Sequence, residues 1–305
     1  MKAVAIDPAP NAGVAAPKET RSRFMLDFAE LVKARLTLLV LLTTAVGFYL
    51  GAPNSVDVMA LFHAVFGTAL AAAGAAALNQ WWERQLDGLM HRTRTRPIPA
   101  GRMLPRDALI LGGLLSAAGV IYLTIACNLL SALLAAATIA IYIFAYTPLK
   151  RISTTNTLVG AVPGALPPMI GWAAARGSVG LPAWSLFAIM FCWQMPHFFA
   201  IAWIYREDYL RGGFRMLSGL DLDGARSGRQ SVLFAALLLA ASALPAMLGL
   251  VSRTFLPLEL LSGAAFLALA VRFYLKPEIV DARRLFFASI IYLPVLLALL
   301  VATKR

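Results

Sequence analysis

Charge is what this chain has least of. Asp, Glu, Lys and Arg make up 14% of its 305 residues, while 60% are hydrophobic. An ordinary soluble domain carries about 25% charged residues. With so little polar surface the chain cannot cover a water-facing globule, which excludes a pair of soluble domains and points to a polytopic membrane protein. Cysteine is nearly absent too. Cys127 and Cys192 stand far apart inside apolar stretches and form no CxxC. That excludes a disulfide scaffold and leaves buried free thiols as the expectation. The stretch from Met1 to about Arg23 lacks an apolar core of signal-peptide type, and its Asp7 and Glu19 argue against an organellar transit segment. A disordered cytoplasmic tail over residues 1–30 is expected, followed by one intramembrane domain over 31–305.

Apolar runs long enough to cross about 30 Å of hydrocarbon recur nine times. They lie near residues 35–51, 57–78, 107–126, 129–147, 156–175, 182–203, 231–251, 255–275 and 284–302. The expected fold is therefore all-α, a bundle of nine transmembrane helices. Only Cys127 and Asn128 separate the third run from the fourth. Pro163, Pro167 and Pro168 should bend the fifth, where neighbouring helices can satisfy the freed carbonyls.

Positive charge sets the orientation. With nine spans, 23 of the 27 Lys and Arg residues fall on the side of the N-terminus, and only Arg176, Arg253, Lys304 and Arg305 fall on the other. The N-terminus and the even-to-odd loops are expected in the cytoplasm. The net charge of +12 thereby has a topological explanation, and no nucleic-acid partner is expected.

Two of these loops carry more than basic residues. After the second run come Asn79, Glu83 and Asp87, then His91, Arg92, Arg94, Arg96 and Pro97. If the second helix continues to Asp87, the i, i+4, i+8 spacing drifts by only about 40° per step, so all three face one way. Two carboxylates and an amide on one helical face repel unless something positive lies between them. Mg²⁺ suits that arrangement, taking one or two carboxylates and filling its sphere with water and substrate phosphate. Arginines just downstream could clamp the phosphates. The plainer alternative is a solvated helix end in which Glu83 and Asp87 pair with Arg84, Arg92 or Arg94.

The second loop follows the sixth run, with Tyr205-Arg206-Glu207-Asp208-Tyr209 and then Gly212-Gly213-Phe214-Arg215. By parity it shares a membrane face with the first, as do Tyr146, Lys150 and Arg151. Acidic helix ends ringed by Lys and Arg would make a metal-diphosphate site, with an apolar cavity for a lipid tail above it.

At these residues the sequence resembles the intramembrane prenyltransferase superfamily that includes 4-hydroxybenzoate polyprenyltransferase and chlorophyll synthase. Asn79, Glu83 and Asp87 match its N-x-x-x-D/E-x-x-x-D motif. Four runs are similar to the protoheme IX farnesyltransferase (heme O synthase) branch: Asp87-x-x-Met90-x-Arg92-Thr93-x-x-Arg96-Pro97, Tyr146-Thr147-Pro148-Leu149-Lys150-Arg151, Gln194-x-Pro196-His197-Phe198, and Asp208-Tyr209. The likeness covers roughly residues 30–300. It departs from other branches at Ile204, four residues before Asp208, where those branches often hold a second aspartate.

The resemblance implies transfer of a farnesyl group from farnesyl diphosphate to a vinyl group of protoheme IX, with water added, in a bacterial inner membrane. It implies Mg²⁺ on Asn79, Glu83, Asp87 and Asp208, diphosphate on Arg92, Arg96, Lys150 and Arg151, and heme or prenyl contacts from His197, Tyr146 and Phe198. It further implies hand-over of product to heme A synthase or to terminal oxidase assembly. His197 has two readings, a heme contact through iron or propionate, or a helix–helix hydrogen bond. His63 is read as packing, and His91 as a phosphate or solvent contact. A secondary transporter would put ionisable groups at mid-membrane, whereas here they gather at one face. A heme-holding assembly factor would leave Asn79, Glu83 and Asp87 idle, and a sister prenyltransferase would leave His197 unexplained.

Overall fold

Each of the nine apolar runs folds as a helix. The computed structural model describes residues 17–53 and 55–305. Helix α1 spans Pro17–Leu31 and α2 spans Ala34–Gly51. There follow α3 (Val58–Asp87), α4 (Pro105–Ala126), α5 (Leu129–Leu149), α6 (Asn156–Arg176) and α7 (Leu181–Ile204). Two short helices, α8 (Arg206–Arg211) and α9 (Leu217–Leu220), precede α10 (Ala225–Met247), α11 (Leu256–Leu275) and α12 (Ile279–Ala302). Among the described residues, α2 to α7 and α10 to α12 are the nine helices long and apolar enough to cross a bilayer, and no strand longer than an isolated bridge occurs.

The differences from the sequence reading sit at the helix ends. The second span continues to Asp87 instead of stopping at 78. The last begins at Ile279 instead of 284, and the seventh at Ala225 instead of 231. Hydropathy marks the thickness of hydrocarbon, and a helix can run on into the polar layer without a break. The expected tail over 1–30 also needs correction. Residues 1–16 lie outside the described residues, but Pro17–Leu31 is helical. Arg102 pairs with Asp27 at 2.8 Å and with Glu30 at 3.2 Å, fastening that helix to the loop before α4.

Proline shapes two spans. Helix α6 breaks at Leu166 into Asn156–Ala165 and Pro167–Arg176, as the three prolines suggest. Helix α5 contains a π-helical turn over Ile141–Tyr146 that hydropathy does not reveal. Pro148 has no N–H to offer Phe144 and its ring crowds that carbonyl, so the ladder widens just before it. Cys127 and Asn128 do form the α4–α5 turn, and the Asn128 side chain accepts from Ser131 N at 2.9 Å. Both cysteines are free, Cys192 buried and Cys127 half-buried.

Helices α3, α4, α5 and α6 pack in succession on one side, and α7, α10, α11 and α12 on the other. Helix α2 closes the bundle between α3, the second half of α6 and α12. Small residues set its distance. Gly47 and Gly51 form a G-x-x-x-G face on α2 against Pro168 and Trp172, while Gly171 of α6 faces the Thr44 carbonyl. A Cβ at Gly47 or Gly171 would run into backbone of the opposite helix. Such close approach replaces the hydrophobic drive that helices lack in lipid. Gly171→Ala should lower stability by about 1–3 kcal/mol, read as the thermal midpoint in detergent. Gly113→Ala, whose added methyl meets nothing within 4 Å, should not.

Candidate active site

The long α3 delivers the three residues of the first motif to one end of the bundle. Asn79, Glu83 and Asp87 share one face and are 0%, 4% and 1% exposed. That burial rules out the solvated helix end, and the partners differ from the neighbours that reading required. Lys33 Nζ donates to Asn79 Oδ1 at 2.6 Å, Lys150 Nζ to Glu83 Oε1 at 2.7 Å, and Arg96 to Asp87 Oδ2 at 2.6 Å. The three cations come from three separate segments of the chain.

Each cation has a local reason for its position. Lys33 adopts φ 50, ψ 52, the one positive φ outside glycine among the described residues. The buried Gln80 holds that turn in place, donating to the Glu30 and Leu31 carbonyls at 2.8 and 2.9 Å where α1 ends. Lys150 follows the π turn, which also faces Tyr142, Tyr146 and Thr147 inward. Thr147 Oγ1 donates to the Tyr142 carbonyl at 2.8 Å and accepts from Asn79 Nδ2 at 3.1 Å. Lys150 Nζ also stands 4.4 Å from the centre of the Tyr146 ring. Arg96 sits in the loop after α3, where Thr93 Oγ1 donates to the Asp87 carbonyl at 2.9 Å and winds the chain back toward the helix end.

The electrostatics of the cluster favour anions. Burial, then the Arg96 and Lys150 cations, lowers the Lys33 ammonium to about 7, against the pull of Glu83 and Asp87. For Lys150, burial acts in the same direction but the Glu83 carboxylate and two tyrosines outweigh it, so its ammonium titrates above the usual range. Among the described residues nothing donates a hydrogen bond to Glu83 Oε2 or Asp87 Oδ1, the second oxygen of each carboxylate. Two such oxygens and an amide on one buried face fit the oxygen-only preference of Mg²⁺.

The remaining expected residues are placed differently. Both Asp208 oxygens are engaged at the loop after α3: Oδ1 accepts from His91 N at 2.8 Å and Arg211 at 2.7 Å, and Oδ2 from Arg92 N at 3.1 Å. Burial raises the Asp208 carboxyl, but these backbone donors and Arg211 outweigh it and hold the group below its usual value. Arg92 lies over the Tyr205 and Tyr209 rings at 5.7 and 5.6 Å. Arg151 is exposed and makes no ion pair among the described residues. His63 pairs with Tyr122 OH at 2.7 Å, a packing role.

His197 satisfies one of its two readings without closing the other. Its Nδ1 lies 2.7 Å from Ser289 Oγ on α12. The Ser289 hydroxyl donates to the Phe286 carbonyl at 2.5 Å, so the hydrogen toward His197 must come from Nδ1. That leaves Nε2 bare, a lone-pair donor. The ring is stacked between Trp193 at 5.4 Å and Phe286 at 4.8 Å, with Phe198 edge-on at 5.8 Å. Lys33, Gln80 and Tyr142 are the site residues that the sequence reading missed. Gln80, adjacent to Asn79 in an apolar helix, was the available signal.

Residues 40–291 match the model of the UbiA prenyltransferase family. The chain belongs to that family. Relatives within it include the protoheme IX farnesyltransferase of Solibacter usitatus (strain Ellin6076), 45% identical over 92% of this chain and 99% of that protein. The mitochondrial protoheme IX farnesyltransferase of Homo sapiens is 41% identical over 91% of this chain and 62% of its own length. Among solved structures, a digeranylgeranylglyceryl phosphate synthase superposes with a TM-score of 0.77 at 14% identity, covering 92% of this chain and 98% of that one. A UbiA homolog from Archaeoglobus fulgidus bound to DMAPP and Mg²⁺ gives 0.64 at 14% identity, over 90% and 99%. These superpositions establish the UbiA family fold.

Two predictions follow from the geometry. Lys150→Met strands Glu83 as a buried, unpaired carboxylate and should lower stability by about 3 kcal/mol; adding Glu83→Gln should recover most of that in the same unfolding assay. Asp208→Ala frees the His91 and Arg92 amides, and their hydrogen exchange should quicken while that of α3 does not.

Proposed function

We propose that this UbiA-family prenyltransferase makes heme O, moving the farnesyl group of farnesyl diphosphate onto a vinyl carbon of protoheme IX. The observation that carries this reading is the buried acceptor face of α3, matched by three cations, in a chain 45% identical to a protoheme IX farnesyltransferase over nearly its whole length. The intramembrane domain is residues 31–305. The excess of Lys and Arg at the end that holds this face supports a cytoplasmic orientation in a bacterial inner membrane.

In the reaction the C1–O bond of the prenyl diphosphate breaks, and the electron pair leaves with diphosphate. A vinyl carbon of the heme bonds to C1, water adds to the neighbouring carbon, and one proton is released. Glu83 and Asp87, with Asn79, would hold Mg²⁺, which when bound offsets charge on the departing diphosphate. Arg96 and Lys150, fixed by those carboxylates, reach the phosphate oxygens without moving, so their stabilisation needs little reorganisation. Lys33 adds a third cation from below. The Tyr142 and Tyr146 rings, tilted 5.5 Å apart, wall the cationic C1 and keep water from it. The bare Nε2 of His197 supports a contact with the heme iron. Asp208 acts as a positioning residue for the loop that carries Arg92 and Arg96, a role its three donors favour over metal ligation. The product would pass to heme A synthase or to oxidase assembly.

Membranes containing this chain, given farnesyl diphosphate and protoheme, should yield a more hydrophobic heme. Its mass gain should equal farnesol, and EDTA should abolish it. Asp87→Ala should lower its rate by about 10²-fold. Recovery of unmodified protoheme alone from folded, inserted protein would refute the assignment.

A further inference from the structure

A second recess lies beside the carboxylate face. A cleft of about 940 Å³ opens between the end of α7, helix α8, the loop after α3 and the turn into α12. Its size falls in the range of small-ligand sites, and its walls have two characters. One is cationic, with Arg92, Arg206 and Arg211. The other is apolar, with Ile204, Pro277 and Val280. Acidic groups are present as well, Glu207, Asp208 and Glu278, but within ion-pair distance they neutralise only Arg211, through Asp208. Arg92 and Arg206 have no carboxylate partner among the described residues. Aromatic faces hold them instead: Arg92 over Tyr205 and Tyr209, and Arg206 over Trp203 at 5.0 Å. Trp203 is in turn anchored, its indole donating to the Pro277 carbonyl at 2.9 Å.

The cleft is aligned with His197. Ile204 lies seven residues beyond His197, within about 20° on the same face of α7 and about 10 Å along its axis. Ile279, also in the cleft wall, has the same relation to Phe286, whose ring stacks on His197. The recess therefore lies at the end of the α7–α12 seam, and His197 sits one heptad further along it, beyond the buried Ala200 and Ala282. Two unpaired guanidiniums at the polar layer, an apolar wall and a nitrogen ligand below them suit one kind of molecule. It is a flat apolar macrocycle with two carboxylates along one edge and a metal at its centre.

We propose that this cleft binds the propionate edge of the heme acceptor, with Arg92 and Arg206 pairing with the two carboxylates. The inference rests on heme being the acceptor. It moves Arg92 from the diphosphate to the heme, and it gives Arg206 a binding role. The donor and acceptor would then be held by different cations, Arg96, Lys150 and Lys33 for one and Arg92 and Arg206 for the other.

The test compares ferric protoheme with its dimethyl ester, which keeps the macrocycle and removes both charges. Binding of each is titrated by absorbance to the full chain in nanodiscs, with farnesyl thiodiphosphate binding measured alongside. Wild type should prefer the diacid. Arg92→Gln and Arg206→Gln should each weaken diacid binding about tenfold, the scale of one charge-assisted hydrogen bond. Neither should alter the diester, and Arg206→Gln should leave thiodiphosphate binding unchanged. Equal binding of diacid and diester by wild type would overturn the proposal. So would variants that lose both hemes alike, or an Arg92→Gln protein that loses thiodiphosphate and keeps heme. If wild type forms heme O while both variants bind diacid normally, the cleft assignment alone fails. If it binds thiodiphosphate but neither heme, the acceptor fails with it.

Discussion

Three hydrogen-bond acceptors buried along one face of a helix constrain much of the site end of this molecule. Asn79, Glu83 and Asp87 cannot share the end of α3 unless donors reach each of them, because an uncompensated buried carboxylate costs several kcal/mol. No neighbour on the same helix supplies those donors. They come from the α1–α2 turn, from the end of α5 and from the loop before α4. Features that look unrelated follow from that need. The left-handed backbone at Lys33, the capture of the α1 end by Gln80 and the π turn ahead of Pro148 all bring a cation to this face.

The cluster is incomplete as a charge system. Lys33, Lys150 and Arg96 outnumber Glu83 and Asp87, and burial first, then the two neighbouring cations, depresses the Lys33 ammonium. Each carboxylate gives one oxygen to a cation and keeps the other free. Glu83 Oε2 and Asp87 Oδ1 thereby stay open to a further partner. A structural salt-bridge network would satisfy both oxygens and leave no surplus. The three residues share one buried face because α3 repeats its acceptors every four residues.

The membrane class, the nine spans and the first motif were legible from hydropathy, charge parity and spacing. Those signals are local or periodic, and helices in lipid obey them because every backbone group must be paired within the segment. The cations' partners were not legible. Glu83 pairs with a residue 67 positions away, and Asn79 with one 46 positions before it. Distance in sequence hides such pairs, whereas Arg84, Arg92 and Arg94 look like partners only because they are close in the chain. Asp208 is a similar case. Its motif suggests metal chemistry, but only the folded loop reveals that two backbone amides and Arg211 already occupy it. The π turn was half legible: Pro148 announces a disturbance of the ladder but not its form.

The loop between α3 and α4 links these observations. Arg96 serves the carboxylate face, while His91 and Arg92, a few residues earlier, stand at the neighbouring cleft. Asp208 on α8 grips the backbone at His91 and Arg92, and Asp87 holds Thr93 and Arg96 a few residues on. A loop with that job cannot be free, and its amides would otherwise be unpaired where it meets α8. Allylic diphosphates ionise whether or not an acceptor is in place, and a cation formed alone would be lost to water. Arg92 and Arg96 are held at a fixed separation by one short, anchored loop. In the proposed reaction that fixed separation would orient acceptor against donor without any large closure of the bundle.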